Sequence, residues 1–317
     1  MRTTGKLILA GTLLFLVGGT IAGVGTAIAY SNKEGDRTDL VDRQYKATGV
    51  AGALNIKTFS GKVELKKGNV ETVTIDYKDS ETDPQIDFSF ADGVLTMKEK
   101  ERPWFSYVNF VWPWNFEKLA KDATVITVPA DSDIDYNLDV ASGTIALEGL
   151  NTTKGFDLDC ASGSIFIKDC TFGESIDIDA TSGTTTLENV TAGGNLDIDG
   201  ASGTINMSDI TVGKTIDVDA ISGGIVGKNI KCEKLKADCT SGKITLSKVD
   251  AEKSIDISAV SGSVNLSVVD AKENYSISVK KTSGSANIES RTDASAPKSM
   301  SFNITSGNVS VTFDDNN

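Results

Sequence analysis

The chain has 317 residues, with 44 acidic and 31 basic side chains, a formal net charge of −13 and no histidine. That field repels a nucleic-acid backbone or an anionic lipid surface and favours cations or basic partners. The missing imidazole removes the usual acid/base group near neutral pH and the commonest neutral metal ligand, so histidine-dependent catalysis is excluded.

Residues 7–30 carry no charge and follow Arg2 and Lys6. Such a run is long enough to cross a hydrocarbon core of roughly 30 Å as a helix. The basic residues before it hold the N-terminus in the cytoplasm and place the rest outside. The small-x-small triplet Ala27-Ile28-Ala29 also suits signal peptidase, but the apolar run is longer than a usual signal core, which favours an uncleaved anchor. Residues 1–30 are therefore read as a transmembrane anchor or signal peptide. The expected location is the cell membrane, single-pass, with the C-terminal part extracellular, or secreted if cleavage follows Ala29. No second span or sortase-type signal is found, so attachment is expected at the N-terminal segment alone. Residues 31–50 are a polar linker.

From there the composition turns to strands. Thirty glycines against five prolines, with many Ser, Thr, Asp, Val and Ile residues, suit short strands and tight turns. Residues 51–130 are expected to form an N-terminal β cap. It opens on Leu54-x-Ile56 and Ser60-Gly61-x-Val63-x-Leu65, then carries strands near 73–77, 86–90, 94–98 and 124–128 without a fixed period. A cap is required because an open end would leave unpaired strand edges and exposed core. An aromatic insertion at 103–116 holds all three tryptophans. It is either a plug over the first coil or a contact surface; for the latter the candidate partner-binding residues are Trp104, Phe105, Tyr107, Phe110, Trp112 and Trp114.

Residues 131–313 carry the repeat. Ser-Gly pairs at Ser142, Ser162, Ser182, Ser202 and Ser222 are twenty residues apart, and further copies stand at Ser241, Ser261, Ser283 and Ser306. Alternation at period two on both sides of each pair predicts two short strands joined by a corner. Overlaid, the units give inward columns: Phe156, Ile176, Leu196, Ile216, Leu235 and Ile255; then Leu158, Ile178, Ile198, Val218, Ala237 and Ile257. A third apolar edge runs through Leu150, Cys170, Val190, Ile210, Ile230, Val249 and Val269. Like residues in columns predict parallel, in-register coils about 4.8 Å apart. The fold class is thus all-β, a single-chain parallel β-solenoid of about twenty-residue coils with an N-terminal β cap, preceded by one transmembrane helix. Phe302 to Phe313 reads as a last hairpin that caps the C-terminal end, with Lys281 in an inward column.

Outward positions carry Asp157 and Asp159, Asp177 and Asp179, Asp197 and Asp199, Asp217 and Asp219. Stacked in register, these are ladders of like charge. Clustered carboxylate oxygens suit hard cations, so weak Ca2+ binding is the metal candidate, against the alternative of a solvated acidic face. No other cofactor is implied. Cys160, Cys170, Cys232 and Cys239 fall at inward or apolar turn positions and read as inert core thiols, with disulfides or a metal as alternatives. No Gly-x-Ser-x-Gly elbow surrounds the serines and no long loop breaks the repeat into a cleft, so no enzyme and no catalytic residues are expected.

The span, the opening motif at Leu54–Leu65, the Gly93-Val94-Leu95 strand, Ile126-x-Val128-Pro129 and the serial Ser-Gly coils together resemble bacterial "putative adhesin" β-strand-repeat domains. The resemblance covers about residues 45–313. It implies a cell-surface β-solenoid, associated with adhesion or with envelope-stress signalling, and it supplies no catalytic residues. The expected function is a non-catalytic, membrane-anchored envelope interaction protein, its partner a cell-envelope or host surface component. The alternative is an envelope-stress sensor that binds a peptide or lipid and acts through a membrane signalling protein.

Overall fold

Each Ser-Gly pair bends the chain between two strands whose inward side chains share one core. The computed structural model describes residues 40–59, 61–100 and 123–314. Its strands are β1 (Leu40–Lys46), β2 (Ala53–Thr58), β3 (Lys62–Gly68), β4 (Thr74–Ser80), β5 (Ile86–Ala91), β6 (Val94–Glu99), β7 (Ala123–Pro129), β8 (Asp135–Glu148) and β9 (Asn151–Thr152). There follow β10 (Phe156–Phe172), β11 (Ile176–Ala192), β12 (Leu196–Val212), β13 (Thr215–Val268), β14 (Tyr275–Ser283) and β15 (Lys298–Phe313). From β8 to β13 each coil pairs parallel with the next, and the register sets serine on serine, glycine on glycine and aspartate on aspartate. The chain is an all-β solenoid. The first two inward columns are buried throughout, as their period requires.

The corner itself explains the repeated glycine. Gly183 holds φ +125°, and a Cβ built there would overlap the carbonyl oxygen of Gly163 in the coil below. Any side chain would therefore force the coils apart at this edge, besides straining the backbone.

A second corner depends on left-handed residues. Asp169, Asn189, Asp209, Asn229 and Lys248 all have φ between 53° and 57°. This kink puts two successive residues outside before the chain turns back in, which brings Cys170, Val190, Ile210, Ile230 and Val249 to the core. Asn and Asp tolerate that conformation. They also join coils: Asn189 Nδ2 donates to Asp169 Oδ1 and Asn229 Nδ2 to Asp209 Oδ1, each at 2.7 Å. The next coil lacks the kink, alternation runs on, and Val268 is buried while Val269 is 41% exposed. The expected inward place of Val269 is thereby corrected.

At both ends spatial order departs from chain order. β2 and β3 form a coil directly beside β8, and β6 and β7 add a further parallel coil outside it. Beyond that the stack ends in antiparallel pairing, β5 on β6 and β4 on β7 with β1 on β4. Tyr45 stacks on Phe88 with centroids 4.3 Å apart, and Tyr77 meets the same ring at 5.0 Å. These rings plug the N-terminal end.

At the other end β15 is no hairpin cap. It lies between the last coil of β13 and β14, with Ile255 against Met300, Ile257 against Phe302 and Val264 against Val309. β14 is the terminal strand, and Lys281, in register with Ile304, is exposed because no further coil covers it. The expected span at 7–30 and the aromatic insertion lie outside the described residues. Among the described residues no helix is long and apolar enough to cross a membrane. All four cysteines are buried free thiols.

Two substitutions separate corner from column. Gly183→Ala is expected to destabilise the fold by about 3 kcal/mol or more, since strain and overlap with backbone act together. Gly200 stands in a small inward column beside a void of about 10 Å³ lined by Ala180, Ile205 and Ala220. A Cβ there first meets the flexible end of Ile205 at 3.2 Å, so Gly200→Ala is expected to stabilise by about 0.5–1 kcal/mol. Thermal or urea melts of both variants check the opposite signs.

Candidate functional site

The repeat Asp-x-Asp precedes each corner because alternate residues of a strand leave the core on one face. Parallel register then stacks them. Asp157, Asp177, Asp197 and Asp217 form one column; Asp159, Asp179, Asp199 and Asp219 form the other, extended at one end by Asp139. All eight expected residues thus lie on a single outward face, exposed to half-exposed.

Two lysines flank the four-coil run of aspartates, beyond which Asp238 and Asp256 carry the columns on. Lys57, in register with Asp139, holds it at 2.8 Å. At the other end Lys236 Nζ lies 2.8 Å from Asp217, 3.4 Å from Asp219 and 3.0 Å from Asp238. That setting of three carboxylates raises the Lys236 pKa against the opposing cost of burial. Sequence reasoning missed both lysines as parts of the site. The signal was present, since Lys236 occupies the column position held by Asp217 one coil earlier, and Lys57 occupies that of Asp139 and Asp159.

Between these lysines six of the carboxyls, Asp157, Asp159, Asp177, Asp179, Asp199 and Asp219, hold protons more tightly than usual. Partial burial, then repulsion from Asp177, Asp159, Asp157 and Asp197, pushes Asp179 from 3.8 up to about 6. Burial, followed by Asp179, Asp219, Asp197 and Asp177, pushes Asp199 up to about 7. Asp157, Asp159 and Asp177 are raised for the same two reasons, and Asp219 is raised by burial with Lys236 opposing. The middle of the ladder thus holds the two carboxyls, Asp179 and Asp199, that are raised furthest toward neutral pH. It is a row of acceptors more than a cage, and among the described residues no group of three or more Asp, Glu, Cys or His side chains is disposed to hold a metal ion.

Other chemistry is muted. Burial pushes the Cys170 thiol up to about 11 and Cys232 up to about 12, and raises Cys160 and Cys239, so none is a ready nucleophile at neutral pH. On the face after the glycine corner, exposed Phe166 and Val226 are separated in their column by Thr186 and Asn206. They make no continuous apolar patch. Trp104, Phe105, Tyr107, Phe110, Trp112 and Trp114 lie outside the described residues.

A model of the family described as Toastrack DUF4097 matches residues 52–312. Solved structures to which this chain is similar include a "putative adhesin" from Bacteroides fragilis, 15% identical over 87% of this chain and 98% of that one, with a TM-score of 0.42. They also include a "putative lipid binding protein" from Parabacteroides distasonis, 12% identical over 86% and 97%, with a TM-score of 0.45. A "putative cell adhesion protein" from Clostridium sporogenes is 10% identical over 86% and 98%, with a TM-score of 0.29. Comparison with curated proteins returns no match.

The raised carboxyls set the sign of a pH effect. Above about pH 7 they are ionised in folded and unfolded chains alike, and the folded ladder carries its full repulsion. As pH falls, the folded state takes up protons before the unfolded state does, so stability rises until the unfolded carboxyls titrate near 3.8. The melting temperature is therefore expected to increase from about pH 8 to about pH 5, the reverse of the usual salt-bridged carboxylate. Asp199→Asn is expected to raise it by about 1–3 °C at the upper pH and to lose that advantage at the lower one. Melts across this range, in low salt, check both.

Proposed function

The chain belongs to the Toastrack DUF4097 family, and on that premise we propose that it is a non-catalytic interaction protein of the cell envelope. In this reading residues 7–30 anchor it in the membrane and the solenoid stands outside. Its acidic face meets a basic or cationic component of the envelope or of a host surface.

The observation that carries the reading is the in-register aspartate ladder on an open sheet face. Directly opposed like charges destabilise a sheet. A fold that repeats them through four coils gives up stability at one defined surface, and such local losses are characteristic of functional sites. A basic ligand would relieve the repulsion on binding. The non-catalytic part rests on the lack of histidine and on the exposure of the titrating carboxyls, since acid/base catalysis draws on a positioned group in a water-excluded site. The aromatic residues Trp104, Phe105, Tyr107, Phe110, Trp112 and Trp114 supply a second contact in this proposal, suited to a surface that buries large rings.

Poly-L-lysine serves as the cationic probe. The full chain is expected to bind it in a salt-dependent way, with the triple variant Asp177→Asn, Asp197→Asn, Asp199→Asn weaker by about tenfold or more. Equal binding by parent and variant would remove the acidic face from the reading. Whole-cell binding with Trp104→Ala, Trp112→Ala and Trp114→Ala tests the aromatic contact; unchanged binding together with an altered envelope-stress response would replace adhesion by sensing. For calcium, a melting temperature that rises with millimolar additions in the parent and not in the triple variant is the result that would support the metal alternative. No shift in the parent eliminates the metal.

A further inference from the structure

The sheet face that follows the glycine corner differs from the aspartate face in charge and in relief. Its two outward columns are the second and fourth residues after each corner serine. From the Ser142 coil to the Ser261 coil they hold a single charged side chain, Lys243, in a chain of net charge −13. Where the fourth position is bulky the second is small, as with Phe166 and Ser164 or Val226 and Gly224; where the fourth is small, as at Ala146, the second is Thr144. Phe166 and Val226 are each 44% exposed. We propose that this face binds a second copy of the chain, the two solenoids lying side by side about a two-fold axis parallel to the stack.

That axis fixes what meets what. It keeps coil level with coil and reverses strand direction across the interface, so the second position of one copy opposes the fourth of the other. Phe166 then lies against Ser164 and Val226 against Gly224, large against small in both directions. Lys243 meets Thr245. In the coil of β3 the same columns hold Lys62 and Glu64, paired at 3.1 Å within one copy, and the axis sets unlike charge on unlike charge across the interface. A two-fold axis along the strands would instead lay each column on itself and lose both matches.

Area and spacing support this occupant. Seven coils about 4.8 Å apart and six residues of about 3.3 Å give roughly 650 Å² per copy, or about 1,300 Å² for the pair, within the span of about 1,200–2,000 Å² of ordinary specific interfaces. Another solenoid of this chain repeats its rows at the same interval, which lets the match persist from coil to coil. The sixth positions, where Lys168 and Glu188 pair at 2.9 Å, fall opposite corner serines and not opposite each other. The aspartate columns lie across the corner, so they end on opposite sides of the pair. This inference therefore does not rest on the acidic-face reading, and salt separates the two. Screening relieves the repulsion between two chains of like charge and strengthens the pair, whereas it weakens capture of a cation.

Sedimentation equilibrium of the full chain in detergent micelles provides the test. The parent is expected to dimerise with a dissociation constant of about 10 μM at physiological salt, and about threefold or more weakly at about tenfold lower salt. Thr186→Asp with Asn206→Asp should weaken the pair about tenfold or more, and Thr184→Lys with Thr204→Lys should do the same. An equal mixture of these two variants should restore it, because the axis sets the substituted positions against each other. All four side chains are half-exposed, and an unchanged melting temperature certifies each variant; the salt dependence of the parent needs none. A parent still monomeric at about 100 μM, a dimer indifferent to both variants as association through residues 7–30 would give, or a mixture no tighter than either variant alone would each overturn the proposal. Monomers that bind uncharged dextran through the same residues would assign the face to a neutral polysaccharide instead.

Discussion

The contact of glycine upon glycine at the Ser-Gly corner is the constraint on which the rest of this molecule depends. At Gly183, Gly203 and Gly223 alike, a Cβ would fall on the carbonyl oxygen of the glycine one coil below. With glycine in place, backbones approach closely at one edge, and the strands on either side of that edge can pair parallel and in register. Register then decides everything else in the same direction: which aliphatic side chains stack as columns, which polar side chains share an outward row, and which charges must face their own kind. A shift of one residue in any coil would turn its core side chains outward. The corner thus converts a local conformational allowance into a global alignment.

The ends show how such an alignment is stopped. A parallel stack has no natural terminus, because each coil presents the same open edge as the last. At the N-terminal end the strands change to antiparallel pairing, which ends the repeat, and the rings of Tyr45, Tyr77 and Phe88 cover its core. At the C-terminal end the chain passes beyond its final position, lays down β14, and returns to insert β15 beneath it. Arg291 then pairs with the outer edge of β14 through reciprocal backbone bonds to Ile277 of 2.7 and 2.8 Å. Lys280 and Lys281 remain exposed further along that strand. Charged side chains on a terminal strand discourage another chain from extending the sheet.

The columns and the aspartate ladder were legible in the sequence because both follow from a period of two inside a period of twenty. The second corner was equally periodic at Asp169, Asn189, Asp209 and Asn229, yet it escaped notice because polar residues there read as ordinary outward positions. Only their positive φ reveals that they shift the phase of alternation. The misplacement of Val269 has the same origin, since its coil keeps the apolar pattern but drops the kink. The exchange of β14 and β15 was not legible at all. Met300, Phe302, Ile304, Val309 and Val311 fit the inward columns as well as any coil does, and an in-register pattern states which residues align without stating which coil is the neighbour.

The lysines that bound the acidic face sharpen its meaning. If the aspartates were present only to keep a strand face soluble, lysines distributed among them would serve equally and would relieve the repulsion. Instead the two columns hold no lysine from Asp157 to Asp219; Lys57 and Lys236 flank that run, and Lys236 gathers three carboxylates around one ammonium. The coils between them are where Asp179 and Asp199 reach their most elevated proton affinities. Proton uptake and cation binding are alternative ways of neutralising the same row, so they must compete. A basic ligand that binds this face has to displace protons from it, and its affinity should fall as the medium turns acidic, in the pH range where the bare solenoid gains stability.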